Sequence, residues 1–117
     1  MMTRPEQVLH EYFEAVQSHS VDRILAVFTA DAVISTADGD VAGADNIREF
    51  YLNGVLKCSH FIPKPGPYFL SGPDAIAVEI VLECDGVASR VGDFFTIKDG
   101  KIAHMRVYSG KGYHPSN

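Results

Sequence analysis

The chain has 117 residues and a formal net charge of −5, and 46% of its residues are apolar, aromatic or cysteine. This length fits one domain, which we expect to span residues 1–117, and it is long enough to bury a core without staples. The composition excludes a disordered chain, and the net negative charge argues against nucleic-acid binding. Counted with glycine and without tyrosine, the apolar share is 59 of 117 residues, about 50%. That is the upper edge of the usual range, so apolar side chains can line something besides a closed core.

Targeting signals and cysteine chemistry are the next features to consider. No apolar run approaches the roughly 18 residues of a membrane span, and residues 1–7 lack the pattern of a signal peptide. We therefore expect a cytoplasmic protein with no membrane and no nucleic acid among its partners. Cys58 and Cys84 form neither a metal-binding spacing nor a disulfide framework. We interpret both as reduced thiols in the core, where free cysteines are commonly buried.

Helical periodicity dominates the first half of the chain. The first helix carries an apolar face at helical spacing, made by Val8, Leu9, Tyr12, Phe13 and Val16. A second, short helix begins after Ser20, whose hydroxyl can cap it. Its apolar stripe is Val21, Ile24, Leu25 and Phe28. A third helix begins after Gly43 and carries Tyr51 and Val55 on its apolar side.

Strand patterns follow, separated by turns such as Asp85-Gly86 and Asp99-Gly100. The predicted strands cover residues 32–36, 59–70, 76–84, 87–98 and 101–109. Prolines in the second of these confine it to a sheet edge or a bulge. Helices first and strands afterwards predict an α+β fold, with the helices on one face of a curled antiparallel sheet. Residues 110–117 are expected to form a loose C-terminal tail.

Asp93 is the first candidate for chemistry. It lies in the middle of a predicted strand, where Asp is disfavoured. Its same-face neighbours are apolar, namely Val91, Phe95 and Ile97. A carboxylate among them is costly unless it is paired or protonated, and burial raises its pKa towards the range of a useful acid or base. The alternative is a structural pairing with Arg90, Arg106 or a backbone group.

Two tyrosines add hydrogen-bonding groups to apolar helix faces. Tyr12 lies on the apolar face of the first helix, and Tyr51 lies on that of the third. A buried phenol needs a partner for its hydroxyl. With Asp93 as a possible partner, the two phenols predict a hydrogen-bonded cluster in an apolar setting. The alternative is that each is a core tyrosine whose hydroxyl reaches the rim.

His60 is a reserve candidate for a base, because it follows the third helix at the start of a predicted strand. The alternative for His60 is a half-exposed spacer. His104 falls by parity on the outer or helix-covered face of its strand. No His, Cys and Asp grouping resembles a metal site, and no glycine turn makes a phosphate loop. We expect neither a metal nor a cofactor.

Four segments carry a resemblance to a known family. They are YFEAV at 12–16, VFTADAV at 27–33, IREFY at 47–51 and GDFFTIKDGKI at 92–102. In this order and spacing they resemble the SnoaL-like and ketosteroid-isomerase-like proteins of the NTF2-like superfamily. The resemblance covers nearly the whole chain. It implies a curved antiparallel sheet wrapped by three helices into a cone, with one pocket in its mouth.

The resemblance also implies roles for individual residues. Ketosteroid isomerase uses an Asp base and an oxyanion hole of Tyr plus protonated Asp. Tyr12 falls on the oxyanion Tyr, Asp93 on the oxyanion Asp and Tyr51 on a supporting pocket Tyr. The usual base position holds Thr36, and only a register shift would bring Asp38 there. In SnoaL-type polyketide cyclases the Asp in the region of Asp93 acts as the acid and base instead, and this chain resembles that arrangement at least as well.

We therefore predict a cofactor-independent acid–base enzyme for a small apolar carbonyl compound, steroid-like or polyketide-like. Isomerisation, cyclisation and dehydration all remain open. The alternatives are a non-catalytic binder of small hydrophobic ligands and a dimeric interaction module. The superfamily usually dimerises through the outer sheet face, so we expect a homodimer. The expected pocket residues, for which the alternative is ordinary packing, are Val16, Phe28, Thr36, Val55, Ile62, Ile80, Leu82, Phe95, Met105 and Ser109.

Overall fold

Three helices form where the apolar periodicity predicted them. The computed structural model describes residues 4–109, apart from the side chains of residues 67–69, so the tail predicted at 110–117 lies outside the described residues. Helix α1 spans Pro5–Gln17, α2 spans Val21–Ala26 and α3 spans Ala44–Leu52. The Ser20 hydroxyl accepts the Arg23 N–H, which confirms the predicted cap. None of the described helices is long and apolar enough to cross a membrane.

A single curved sheet of six strands contains the described β-structure, in the order β2-β1-β6-β5-β4-β3. The strands are β1 (Phe28–Thr36), β2 (Gly39–Ala42), β3 (Phe61–Ser71), β4 (Ala75–Cys84), β5 (Val87–Lys98) and β6 (Lys101–Ser109). The predicted α+β class is confirmed. Neighbouring strands are antiparallel except β1 and β6, which run parallel. These two strands come from opposite ends of the sheet-forming chain, so no hairpin sets their relative direction.

Turn chemistry sets the order of the last three strands. Asp85-Gly86 and Asp99-Gly100 all have positive φ, between 51° and 87°. Such backbone suits the two-residue hairpins predicted from the Asp-Gly pairs. Strand β3, with its prolines, lies at the edge of the sheet as predicted.

The core lies between the helices and the inner face of the sheet. Strand β5 shows the alternation most clearly, because Val91, Asp93, Phe95 and Ile97 are buried and the residues between them are more exposed. The helices pack their apolar sides against this face of the sheet. Their residues Val8, Ile24 and Ile47 are almost completely excluded from solvent. The inner face of β5 therefore presents its one carboxylate to the helices.

Local structure differs from the prediction at three places. Strand β2 (Gly39–Ala42) was not predicted, because Gly39 and Asp40 are typical of a turn. Strand β1 begins at Phe28, which the periodicity had placed in the second helix. Val55 belongs to a separate 3-10 turn, Val55–Lys57, because α3 ends at Leu52 and is followed by Asn53-Gly54. Phe28 and Val55 both lie at apolar spacings that fit a continued helix as well as the structure observed.

The prediction of reduced cysteines is wrong, since Cys58 and Cys84 form a disulfide with a Cα–Cα distance of 5.4 Å. Cys58 lies just before β3, and Cys84 ends β4, to which β3 pairs in antiparallel fashion. The antiparallel pairing of β3 and β4 therefore brings together two cysteines that are 26 positions apart in the sequence. Spacing along the sequence carries no sign of this proximity.

Candidate active site

A pair of phenols joins helices α1 and α3 in the interior. The Tyr12 and Tyr51 hydroxyl oxygens are 2.7 Å apart, and both side chains are buried. Rings of Phe28 and Phe95 pack edge-on or tilted against the pair. Two hydroxyls carry two protons, and only one proton bridges them. The second is available to a further acceptor.

Asp93 on β5 is the one buried charged or polar side chain among the described residues, with 5% of its surface exposed. Its cross-strand neighbours are Val78 on β4 and Val107 on β6. Its Oδ1 atom is buried and has no hydrogen-bond partner among the described residues. Burial raises the pKa of Asp93 from 3.8 to about 7.

Neither arginine considered as a structural partner neutralises this carboxyl. Arg90 lies near Glu79, at 3.7 Å between its Nε and the carboxylate oxygen. Arg106 is exposed, and it pairs across the sheet with Phe94, whose side chain alternates with that of Asp93. The carboxyl therefore remains unpaired in an apolar setting, an arrangement that clusters at functional sites.

The phenols and the carboxyl influence one another electrostatically. Burial raises the pKa of Tyr12 above its usual range, and a negative Asp93 raises it further. Burial likewise raises the pKa of Tyr51, with smaller contributions from Tyr12 and Asp93. Both phenols therefore stay protonated at neutral pH, while Asp93 can gain or lose its proton there. The three residues supply one proton acceptor and one hydrogen-bond donor.

A cavity of about 90 Å³ lies beside these three side chains. It is lined from α1, α3, the 3-10 turn and strands β3 to β6, and Asp93 is its one titratable carboxyl. This volume is well below the roughly 300–1,000 Å³ of pockets for drug-sized ligands. The cavity suits a compact ligand, and a larger one requires movement of the walls.

Eight of the residues predicted for the site line this cavity. They are Tyr12, Tyr51, Asp93, Val16, Val55, Ile80, Leu82 and Met105. Phe28 and Phe95 lie behind them, in contact with Tyr12. Six further lining residues were missed, namely Phe13, Phe50, Phe61, Pro63, Val91 and Val107.

Three predicted pocket residues lie elsewhere. Ile62 is 43% exposed, because Phe61 and Pro63 on either side of it face inward. Ser109 is exposed at the end of β6. The Thr36 hydroxyl donates to the Gly39 carbonyl in the β1–β2 turn at 3.1 Å and does not line the cavity.

The other polar candidates are also outside the cavity. Asp38 is exposed beside Thr36, so no register shift places it at the cavity. His60 has a side chain that is 86% exposed near Asp85, and the structure does not bring it to the phenols. His104 bonds to Ser35 at 2.8 Å on the far face of the sheet. Among residues 4–109 no group of three or more His, Cys, Asp or Glu side chains could hold a metal ion.

Comparison with known families matches most of this chain. A family described as the SnoaL-like domain matches residues 9–105, which include all three cavity residues with polar side chains. No curated protein sequence matches the chain significantly.

Solved structures share the architecture, which is the NTF2-like fold. A protein from Sinorhizobium meliloti, provisionally named a polyketide cyclase, is 22% identical with a TM-score of 0.75, covering 86% of this chain and 92% of that one. A protein from Kribbella flavida DSM 17836, provisionally named a ketosteroid isomerase, is 13% identical with a TM-score of 0.77, covering 94% and 80%. At these identities the likeness shows the fold alone.

A third solved structure is more similar in sequence. The epoxide hydrolase/cyclase-like enzyme SalBIII, described in connection with pyran ring formation in the polyether salinomycin, is 25% identical to this chain. The TM-score is 0.76, and the alignment covers 92% of this chain and 91% of that one.

The phenol pair predicts strong coupling between two substitutions. Tyr12→Phe or Tyr51→Phe alone leaves one buried hydroxyl without its partner and should cost about 1–3 kcal/mol of stability. The double variant removes both hydroxyls, so its cost should be clearly less than the sum. Urea unfolding of all four proteins measures this, and additive costs would show that the hydroxyls are not bonded to each other.

The raised pKa of Asp93 predicts that Asp93→Asn gains stability relative to the wild type as the pH rises. The folded chain keeps the Asp93 proton up to about pH 7, whereas the unfolded chain loses it near pH 3.8. The unfolded state therefore binds fewer protons between these values, and wild-type stability falls as pH rises through this window. Above pH 7 the loss of wild-type stability caused by ionising Asp93 levels off at about 4 kcal/mol.

Urea unfolding from pH 4 to pH 8 should show Asp93→Asn gaining on the wild type across that window. Asp38→Asn, at an exposed carboxylate, is the matched control and should follow the wild type. Parallel curves for Asp93→Asn and wild type would mean that Asp93 titrates normally.

Proposed function

The chain belongs to the SnoaL-like domain family, and we propose that it is a cofactor-independent acid–base enzyme acting on a small apolar carbonyl compound. The observation that carries the proposal is the unpartnered Asp93 carboxyl, which faces a cavity beside two protonated phenols. The family and its cyclase and isomerase relatives support the same class of chemistry.

Asp93 is the proton-transferring group of this proposal. The other carboxylates considered, and Thr36 at the isomerase base position, lie outside the cavity, so Asp93 is its one carboxyl. With a pKa of about 7 it is partly ionised at neutral pH, where a general base works best. It removes a proton from the carbon next to the substrate carbonyl and holds that proton as the neutral acid.

The phenol pair stabilises the product of that step. Removing the proton leaves an enolate, whose negative oxygen accepts the proton of the pair that does not bridge Tyr12 and Tyr51. Donors already placed in an apolar site stabilise such charge without reorganisation. Return of the proton from Asp93 to another carbon gives isomerisation. Attack of the enolate on a second carbonyl gives cyclisation, with the Asp93 proton passing to the new alkoxide. Loss of a β-hydroxyl, which takes the Asp93 proton and leaves as water, gives dehydration.

Substrate size follows from the cavity. About 90 Å³ suits a one-ring ketone rather than a four-ring one, unless the walls move. The lining is apolar apart from Tyr12, Tyr51 and Asp93, so the substrate should carry one carbonyl on an apolar frame.

Exchange of the α-protons of cyclohexanone in D₂O, followed by ¹H NMR, tests the proton transfer without knowledge of the natural substrate. We expect exchange above the buffer rate, rising with pH through about 7 as Asp93 ionises. Asp93→Asn should lower it by about 10²–10⁴-fold and Tyr12→Phe by about 10²–10³-fold. The control Asp38→Asn should exchange at the wild-type rate.

The outcomes separate the candidate functions. Binding of cyclohexanone at the cavity with no protein-dependent exchange would identify a binder instead of an enzyme. Equal exchange by Asp93→Asn and wild type would remove Asp93 from the mechanism. A rate that falls as pH rises through 7 would make Asp93 a neutral donor rather than the base.

The outer sheet face supports a homodimer as the form of this enzyme. Leu70, Phe94 and Tyr108 are 77%, 49% and 60% exposed there, and the last two rings contact at 5.4 Å between centroids. They border an open hollow of about 690 Å³ on β3 to β6, which is lined mainly by apolar residues together with Arg106. Contiguous apolar surface of this kind marks an interaction site, and we propose that a second copy of the chain covers it.

Sedimentation of the purified protein should give twice the chain mass of 12.8 kDa. Phe94→Arg places a charge in the centre of this face and should give a monomer. Val87→Arg, at a position 72% exposed outside the hollow, is the matched control and should stay dimeric. A wild-type protein of single-chain mass would contradict the proposed dimer.

A further inference from the structure

We propose that the Cys58–Cys84 disulfide is a reversible tie on the cavity wall and that its redox state sets the size of ligand the cavity admits. Cys58 comes directly after the 3-10 turn that carries Val55, and Cys84 lies two residues beyond Leu82. Val55 and Leu82 both line the cavity. The bond therefore joins two parts of one wall.

The 3-10 turn is held by partial packing rather than by full burial. Val55 and Leu56 are half-buried against the core, and none of the residues Val55–Lys57 is fully buried. The backbone hydrogen bonds shown for it are local, from Lys57 N–H to the Gly54 carbonyl and from Cys58 N–H to the Val55 carbonyl. Local bonds of this kind move with the segment. Apart from the backbone that leads into β3, the disulfide is the covalent link from this segment to the sheet.

A second attachment sits next to the disulfide and does not depend on it. The Asp85 carboxylate accepts the N–H groups of His60 at 2.7 Å and Ser59 at 3.2 Å. These two bonds, that of His60 first, lower the pKa of Asp85. The Asp85 N–H in turn donates to the His60 carbonyl at 2.8 Å. Residues 59–60 thus stay on the β4–β5 turn when the disulfide opens, and β3 remains paired.

Opening the bond would consequently release the turn but not the sheet. The 3-10 turn can then move outward with Val55, and the cavity of about 90 Å³ can enlarge on that side. Asp93 and the phenols lie on β5, α1 and α3, which the disulfide does not join. Reduction should therefore change which ligands enter while leaving the polar groups in place.

The chemical step is ordinary thiol–disulfide exchange with a dithiol reductant. A thiolate of the reductant attacks the sulfur of Cys84, the more exposed cysteine, and Cys58 leaves as a thiolate that takes up a proton. The second thiol of the reductant then displaces Cys84 from the mixed disulfide. Two electrons and two protons reach the protein, and the reductant becomes a disulfide. In a reducing compartment such bonds are usually transient or serve as sensors.

The test compares oxidised protein, protein reduced with dithiothreitol, and the Cys58→Ser/Cys84→Ser variant. Alkylation with iodoacetamide and mass measurement should find no modified cysteine in the oxidised protein and two after reduction. Amide hydrogen exchange at residues 54–58 should become about tenfold faster on reduction, and exchange in β5 and β6 should not change. The double serine variant should show the exchange rates of the reduced protein in both regions, and dithiothreitol should not change them.

Ligand size is read from binding of cyclohexanone and of the two-ring ketone 2-decalone by NMR titration, which requires no turnover. Reduction should raise the affinity for 2-decalone relative to cyclohexanone by about tenfold, or about 1.4 kcal/mol. Asp85→Asn, with the disulfide intact, should keep the oxidised preference.

Several results would overturn the proposal. Two free thiols in protein purified without reductant under air would show that the Cys58–Cys84 disulfide does not form. Faster exchange throughout the chain would make the disulfide a general stabiliser, and an unchanged ligand preference on reduction would show that it does not control the wall. Each of these readouts is independent of catalysis, so their failure leaves the acid–base proposal to its own test.

Discussion

Burial of the Asp93 carboxyl without a counter-charge is the constraint on which the rest of the site depends. A charged carboxylate in that setting is strongly disfavoured, so the pKa rises until neutral and charged forms are both accessible near pH 7. The same low-polarity surroundings keep Tyr12 and Tyr51 protonated. One physical cause therefore provides both the acceptor and the donor that enolate chemistry needs. An arginine beside Asp93 would lower the pKa of its carboxyl and so remove the proton acceptor that works near pH 7.

Sequence reasoning could find these three residues because each breaks a local pattern. Asp93 interrupts an apolar strand face, and Tyr12 and Tyr51 place hydroxyls on apolar helix faces. Their 2.7 Å contact could not be derived, since it depends on how α1 and α3 pack across 39 residues of sequence. Periodicity supplied which face each residue occupies and so predicted a cluster, and the resemblance to a family supported the same grouping.

Failures of prediction share a different cause. The inward set of β3 is Phe61 and Pro63, and a one-residue error of parity exchanged them for Ile62. The pairing of β3 with β4 shifts register after Pro65, so counting from one end does not fix the face at the other. Cys58 and Cys84 were misjudged for a related reason, because strand pairing, and not spacing, brings them to 5.4 Å. Long-range register is information that a single sequence shows only weakly.

The high apolar content can now be divided among three surfaces. One part fills the core between the helices and the inner sheet face, a second lines the cavity beside Asp93, and a third lies exposed at Leu70, Phe94 and Tyr108. A chain of this length with only a core to fill would not need the last two. Since the cavity and the buried carboxyl both lower stability relative to a filled apolar core, their presence together is better explained by selection for chemistry than by selection for folding.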